Sequence, residues 1–273
     1  MSGKLIPVDP ASVMVMRDVT PRITTLSVPF LRFGAIPIGG RATLVKLSSG
    51  SLAVFSPVAL TEEVRAKVMA MGNDVRYIVA PDIEHHIFIS EWKAEYPTAQ
   101  LIGPAGLPEK RAELVGVDPK VNNDHFDHVF TPQNKHSLSI TSEFDADFDY
   151  EFVDAHPNKE LVFFFRPDRV LIEADLMFNL PATEQYSRAS VQDKKNGPLA
   201  RLFMSLQTTA DAAKGQKRFL WHLVSRKNRT GFNESAKRIA SWDFETVIPC
   251  HGDVIEGHGK QVFEKVFDWH LKK

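Results

Sequence analysis

The chain has 273 residues, 43% of them hydrophobic, with 33 basic against 34 acidic side chains and a single cysteine, Cys250. Such a length can bury most of its apolar surface unaided, and the balanced charge gives no general pull towards nucleic acid or an anionic membrane. One cysteine excludes both an internal disulfide and a thiolate-rich zinc site.

In chain order, Val13 to Val19 and Ile23 to Val28 are short β-prone runs, and Thr43 to Leu47 with Leu52 to Phe55 flank a Ser-Ser-Gly-Ser hairpin signal. Thr61 to Gly72 predicts a helix, with Thr61 as N-cap, two glutamates in the first turn and Gly72 at the stop. A buried strand follows at Val75 to Ala80, then a helix at Phe88 to Tyr96 and a strand at Gln100 to Ile102. Residues 118 to 149 are polar and acidic with few signals, and Tyr150 to Val153, Glu160 to Phe165 and Val170 to Glu173 are strand-like. Asn179 to Gly197 reads as a long polar loop, a natural lid. The rest is mainly helical, over Leu199 to Lys227, Glu234 to Trp242 and Gly259 to Leu271, with one strand at Glu245 to Pro249. No repeat or linker appears, so a single domain over 1–273 is expected. The N-terminus lacks the apolar core of a secretory signal. No uncharged apolar run reaches the roughly 18 residues of a membrane span, so the expected location is cytoplasmic.

Four strand-like runs end in residues able to bind a metal. The first leads to Asp82, Glu84, His85 and His86, the second to His156, the third to Asp175 and the fourth to His251. In α/β proteins, ligands gather at the loop ends of neighbouring strands because the sheet holds those loops in register. Imidazoles and carboxylates suit zinc, iron or manganese. Singly, each residue also has a plainer reading as a cap or a hydrogen-bonded loop residue; four such endings in one chain favour a shared site.

The segments Ile78-Val-Ala-Pro-Asp-Ile-Glu-His-His86, Ala155-His-Pro-Asn-Lys-Glu160, Val170-Leu-Ile-Glu-Ala-Asp-Leu-Met-Phe-Asn179 and Val247-Ile-Pro-Cys-His-Gly-Asp253, with Trp92 and Tyr96-Pro97, carry a family resemblance. On them the sequence resembles the metallo-β-lactamase superfamily, and within it a DUF4336-like domain family of unknown function. The resemblance implies a four-layer αββα sandwich with the metal site at one edge. The superfamily's first motif, His-x-His-x-Asp-His, is altered here to Ala80-Pro-Asp-Ile-Glu-His85. Ala80 cannot bind metal, Asp82 replaces a histidine and Glu84 replaces the aspartate. By resemblance, His85, Asp175 and His251 remain as ligands. Glu84 is a longer substitute, His156 a ligand or acid/base, Asp82 a possible ligand, and His86 an alternative to His85.

The reading that follows is a metal-dependent hydrolase of a small molecule with an ester, lactone or thioester bond. Zinc, as one or two ions, is expected, with iron or manganese as alternatives; His156 and Asp175 are the expected catalytic residues. Bound zinc lowers the pKa of its water to about 7, giving metal-bound hydroxide at neutral pH. Two other readings stay open: a non-catalytic binding member with a degenerate site, and an iron-dependent oxidoreductase, since two histidines and a carboxylate also suit non-haem iron. The expected partner is a small molecule, without nucleic acid or membrane.

Other features point elsewhere. His125-Phe-Asp-His128 lies in a polar stretch and reads as a solvated loop, and the acidic run Glu143, Asp145, Asp147 and Asp149 as a solvated face or edge strand. Cys250 and His251 are sequence neighbours whose side chains leave a strand on opposite faces, a poor nucleophile–base pair.

Overall fold

Two sheets account for the strand-forming runs. In the computed structural model, which describes residues 7–189 and 197–272, the chain opens with β1 (Val15–Thr20) and β2 (Ile23–Val28) and then forms a separate small hairpin, β3 (Leu31–Arg32) and β4 (Ile36–Pro37). Next come β5 (Gly40–Lys46), β6 (Leu52–Phe55), β7 (Val75–Val79), β8 (Gln100–Pro104) and β9 (His128–Phe130). The first sheet has the order β1-β2-β5-β6-β7-β8-β9. The second consists of β10 (Phe148–Val153), β11 (Glu160–Phe165), β12 (Val170–Glu173) and β13 (Thr246–Pro249), in that order.

The helices are α1 (Pro10–Val13), α2 (Glu62–Met71), α3 (Ile89–Glu95), α4 (Leu107–Leu114), α5 (Ser142–Asp147), α6 (Pro198–Leu206), α7 (Lys214–Phe219), α8 (Arg229–Ala240), α9 (Gly259–Val266) and α10 (Asp268–Leu271). A π-helical turn, Leu220–Val224, and a 3₁₀ turn, Ser225–Lys227, continue α7.

The two-residue period of the strands assigns each side chain to a layer. Leu44 and Ile78 pack with Val64, Val68 and Trp92 of α2 and α3. Their neighbours Val45, Tyr77 and Val79 point the other way and meet Leu161, Phe163 and Ile172 of the second sheet. On the far side of that sheet, Val162, Phe164 and Leu171 meet Phe232, Ile239 and Phe263 of α8 and α9. The result is the αββα sandwich. Its middle layer is aromatic: the Phe55 and Phe163 rings meet at 5.0 Å and the Phe144 and Phe148 rings stack at 4.5 Å.

Three stretches differ from expectation. Residues 118–149 contain β9 and α5, because Thr141 caps the backbone N–H of Phe144 and Asp147 accepts from the Ser48 backbone N–H and hydroxyl. Glu143, Asp145 and Asp147 of the acidic run therefore lie on a helix latched to a hairpin, while Asp149 lies on β10, an edge strand as expected. The helix expected over Leu199 to Lys227 is broken into α6, α7 and the π and 3₁₀ turns. The loop from Asn179 is packed, not a lid, as far as Ala189: Leu180, Ala182, Tyr186 and Ala189 form a core with Ile36, Ile38 and Phe178. Its remainder, 190–196, lies outside the described residues. Among the described residues no helix is long and apolar enough to cross a membrane.

Strands β6 to β9 are parallel, as are β12 and β13. Two backbone hydrogen bonds clasp the sheets where the polar loops emerge: Leu161 N–H to Pro81 O at 2.6 Å and Ile83 N–H to Asn158 O at 3.0 Å. The loops after β7, β10, β12 and β13 thus share one edge of the sandwich.

Candidate metal centre

His85, Asp175 and His251 converge at that edge, each offering one ligand atom within 4.8 Å of the others. His85 Nε2 lies 3.2 Å from His251 Nε2, which lies 3.1 Å from Asp175 Oδ1. The far nitrogen of each ring is already committed. His85 Nδ1 is 2.8 Å from Asp82 Oδ1 and His251 Nδ1 is 2.7 Å from Gly39 O. A carboxylate and a carbonyl only accept, so both Nδ1 atoms carry the hydrogen and both Nε2 atoms present lone pairs to the same point. Asp175 Oδ1 adds a third lone pair and, although buried, has no hydrogen-bond partner.

Three acceptors facing one another require a cation between them, whether a proton or a metal ion. A tetrahedral ion with bonds of about 2.0–2.1 Å spaces its ligands by roughly 3.3 Å, so the separations of 3.2 and 3.1 Å fit. Burial alone would lower the His85 pKa, but the Asp82 carboxylate beside it holds it well above the ordinary imidazole value. Burial would raise the Asp175 carboxyl, yet the His251 and His85 rings hold it well below the usual range.

Each ligand is positioned by a different local device. Asp82 closes the turn after β7, its Oδ1 accepting from the Glu84 and His85 backbone N–H groups at 2.7 and 2.8 Å as well as from the His85 ring. Asp175 is held through its backbone N–H by the buried Glu160 carboxylate and through Oδ2 by Asn158 Nδ2 at 2.5 Å. His251 precedes Gly252, whose φ of +93° and whose approach to Asn179 (2.1 Å from a Cβ to its carbonyl oxygen) only glycine tolerates. Beneath this loop the fully buried Gln185 donates to Cys250 O and accepts from Gly252 N–H. Cys250 itself is buried, with its thiol 3.0 Å from Arg41 O.

The other expected site residues fall outside the convergence point. Glu84 turns to solvent and pairs with Lys110 at 2.8 Å, because the Asp82 turn spends its inward direction on His85. His86 packs against Arg111, whose Nη1 is 3.4 Å from His86 Nδ1, and burial with nearby Lys110 and Arg111 lowers its pKa to about 4. Asp82 stands behind His85 rather than beside it. His156 is buried close by, lining a cavity with Asp175, and its Nδ1 accepts from the Asn158 backbone N–H at 3.2 Å. That bond fixes the proton on His156 Nε2, which makes that atom a donor, unlike Nε2 of His85 and His251. His128 meets Gln100 at 2.8 Å on β9, and the described residues offer no metal cluster besides the triad.

Sequence reasoning missed Arg32 and Phe33 at the tip of the β3–β4 hairpin. Arg32 Nη1 is 3.8 Å from Asp175 Oδ2, and Phe33 is 81% exposed over the site. No spacing signal marks a tertiary contact of this kind; the Gly39-Gly40 pair behind the hairpin was the one local cue. Two cavities meet under this tip. One of about 370 Å³ contains His85, Asp175 and His251, and one of about 320 Å³ contains His156 and Asp175.

A family model described as Domain of unknown function (DUF4336) matches residues 33–219. No curated protein matches the chain significantly. Among solved structures, the metallo-β-lactamase from Pontibacter korlensis aligns with a TM-score of 0.51 at 10% identity, over 95% of this chain and 100% of that one. The DIM-1 metallo-β-lactamase aligns at 0.52 and 10% identity, over 95% and 97%. The flavodiiron protein from Giardia intestinalis aligns at 0.59 and 12% identity, over 94% of this chain but 59% of that one. At such identities these likenesses concern the fold.

Proposed function

Since the chain belongs to the DUF4336 family, whose description assigns no activity, its function is read from its own residues, and we propose a metal-dependent hydrolase of small molecules carrying an ester, lactone or thioester bond. The convergence of His85 Nε2, His251 Nε2 and Asp175 Oδ1 on one point carries this reading. A bound divalent ion, zinc foremost, supplies Lewis acidity and an activated water at neutral pH.

Three protein ligands leave one coordination position open, the pattern of catalytic rather than structural zinc. A single ion is favoured over a pair, because Ala80 offers no donor and Asp82 is engaged in orienting His85. The chain's own residues do the rest. Asp82 and the Gly39 carbonyl fix both imidazoles in the liganding tautomer, a role such outer partners play at metal sites generally. His156, neutral because burial lowers its pKa, holds a proton at Nε2 that it can direct to a carbonyl oxygen or leaving group. Arg32 adds a positive charge on the substrate side of Asp175.

The test is metal analysis of protein purified without added metal, for the wild type and His251→Ala, followed by assays on esters, lactones and thioesters. Close to one equivalent of zinc, lost with the histidine, and turnover that chelation abolishes are expected. No metal uptake on titration would overturn the proposal and favour a non-catalytic binding protein. The two-histidine, one-carboxylate set also supports a second reading, an iron-dependent oxidoreductase; iron content with oxygen consumption would select it.

A further inference from the structure

The cavity of about 320 Å³ beside Asp175 has a mixed lining. Its lining combines the polar Arg32, His156, Asn158 and Asp175 with the apolar Phe203, Phe219, Leu220, Leu223 and Val224. The helical part of the lining, from Phe203 to Val224, carries no charge. Gln207, the other polar residue of the lining, is buried and accepts at Oε1 from Gln216. A sugar, nucleotide or phosphate lodged there would lose its hydrogen bonds to water without replacement, a cost of several kcal/mol.

The wall is also built in an unusual way. The helix begun by α7 widens into the π turn Leu220–Val224, a rare conformation that is frequent at functional sites. It keeps Leu220 and Val224 buried at 2% and 7% while leaving Leu223 62% exposed. Leu223 and the exposed Phe33 both border this cavity, so large apolar side chains stand in solvent where a ligand would enter.

Building on the hydrolase reading, we propose that the substrate carries an alkyl chain of medium length, seated against Phe203 of α6 and the π turn, with its reacting carbonyl beside His156 and Asp175. At about 30 Å³ per water-sized group, the cavity takes a chain of roughly eight to ten carbons. Burial of each methylene is then worth about fourfold in affinity or kcat/KM.

Two measurements on the full chain test this separately from the hydrolase reading. The first is kcat/KM for p-nitrophenyl esters from two to sixteen carbons with the zinc-loaded protein. A rise of roughly fourfold per methylene to about eight to ten carbons, then a plateau or fall, is expected. The second is calorimetric binding of straight-chain carboxylates of four to twelve carbons to the metal-free protein, where affinity should climb similarly with a negative heat-capacity change. L223Q, checked for an unchanged melting temperature, should reduce the long-over-short preference at least tenfold in both series. Hydrolysis and binding indifferent to chain length would overturn the alkyl seat while leaving the hydrolase standing. Chain-dependent binding without hydrolysis would uphold the seat and remove the hydrolase.

Discussion

One carboxylate oxygen, Asp82 Oδ1, receives both the backbone N–H and the ring Nδ1 of His85, each at 2.8 Å. The same atom therefore fixes where the His85 backbone turns and which way its ring faces. Removing it releases both. Loss of an outer partner of this kind at metal sites costs about 10- to 100-fold in metal affinity, and D82A should show that loss in competition with a chromophoric chelator. Loss of the turn's hydrogen bonds should also lower stability by about 1–3 kcal/mol. An affinity unchanged in D82A would show that the ring is held by something else.

His156 separates from the ligands by its hydrogen-bonding pattern, and a variant can read that difference. With its Nδ1 accepting from Asn158 N–H, the ring carries its hydrogen on Nε2 and borders the cavity. His156→Ala should retain the bound ion while kcat falls by about 10²- to 10⁴-fold, the range for a lost general acid or base. The comparison is with His251→Ala, which should lose ion and activity together. Metal content falling in both variants would make His156 a ligand.

Much of this arrangement was legible in the sequence because it is local. A strand followed at once by a ligand-type residue identifies Asp175 and His251, since strand ends fix such positions within a residue or so. Thr61 and Gly72 bound α2 at Glu62–Met71 as their chemistry demands. Other features depended on tertiary contacts that no window contains. Adjacent His85 and His86 differ only in what the turn and Arg111 do with them, and the part of the acidic run from Glu143 to Asp147 lies in α5, where Asp147 accepts from Ser48 far along the chain. The loop after Asn179 is polar in composition, yet Gln185 is fully buried because it bonds both sides of the His251 turn. Composition reports average exposure, and a single satisfied polar side chain escapes it.

Gly252 ties the His251 turn to the loop at Asn179, and the tie is steric. A Cβ on its +93° backbone would stand 2.1 Å from Asn179 O and 2.9 Å from Asn179 N. Neither atom is a side-chain end able to move away. Gly252→Ala should therefore cost about 3 kcal/mol or more in chemical denaturation. It should also weaken metal binding, because the displaced segment begins at the residue after His251. Gly50→Ala is the control: its φ of +99° is similarly strained, but no atom lies within 4 Å of its Cβ position. It should lose only the backbone term, about 1–2 kcal/mol, and keep its metal.

The last prediction concerns acid stability, away from the metal centre. His270 is fully buried among Trp221, Phe232 and Phe267, with Nε2 3.0 Å from Ser225 Oγ and no partner at Nδ1. Burial, with the Arg229 guanidinium nearby, lowers its pKa to about 4. In the unfolded chain the ring titrates near 6.5. As pH falls below that value the unfolded chain takes a proton that the folded one refuses, so stability present above about pH 6.5 is lost towards pH 4. Between pH 7 and pH 5 this one ring should remove about 2 kcal/mol. Urea denaturation of H270F at the two pH values should show a pH-dependent loss smaller by that amount, whatever the aromatic replacement does to stability at pH 7. An equal loss in wild type and variant would mean that the ring takes up its proton inside the fold.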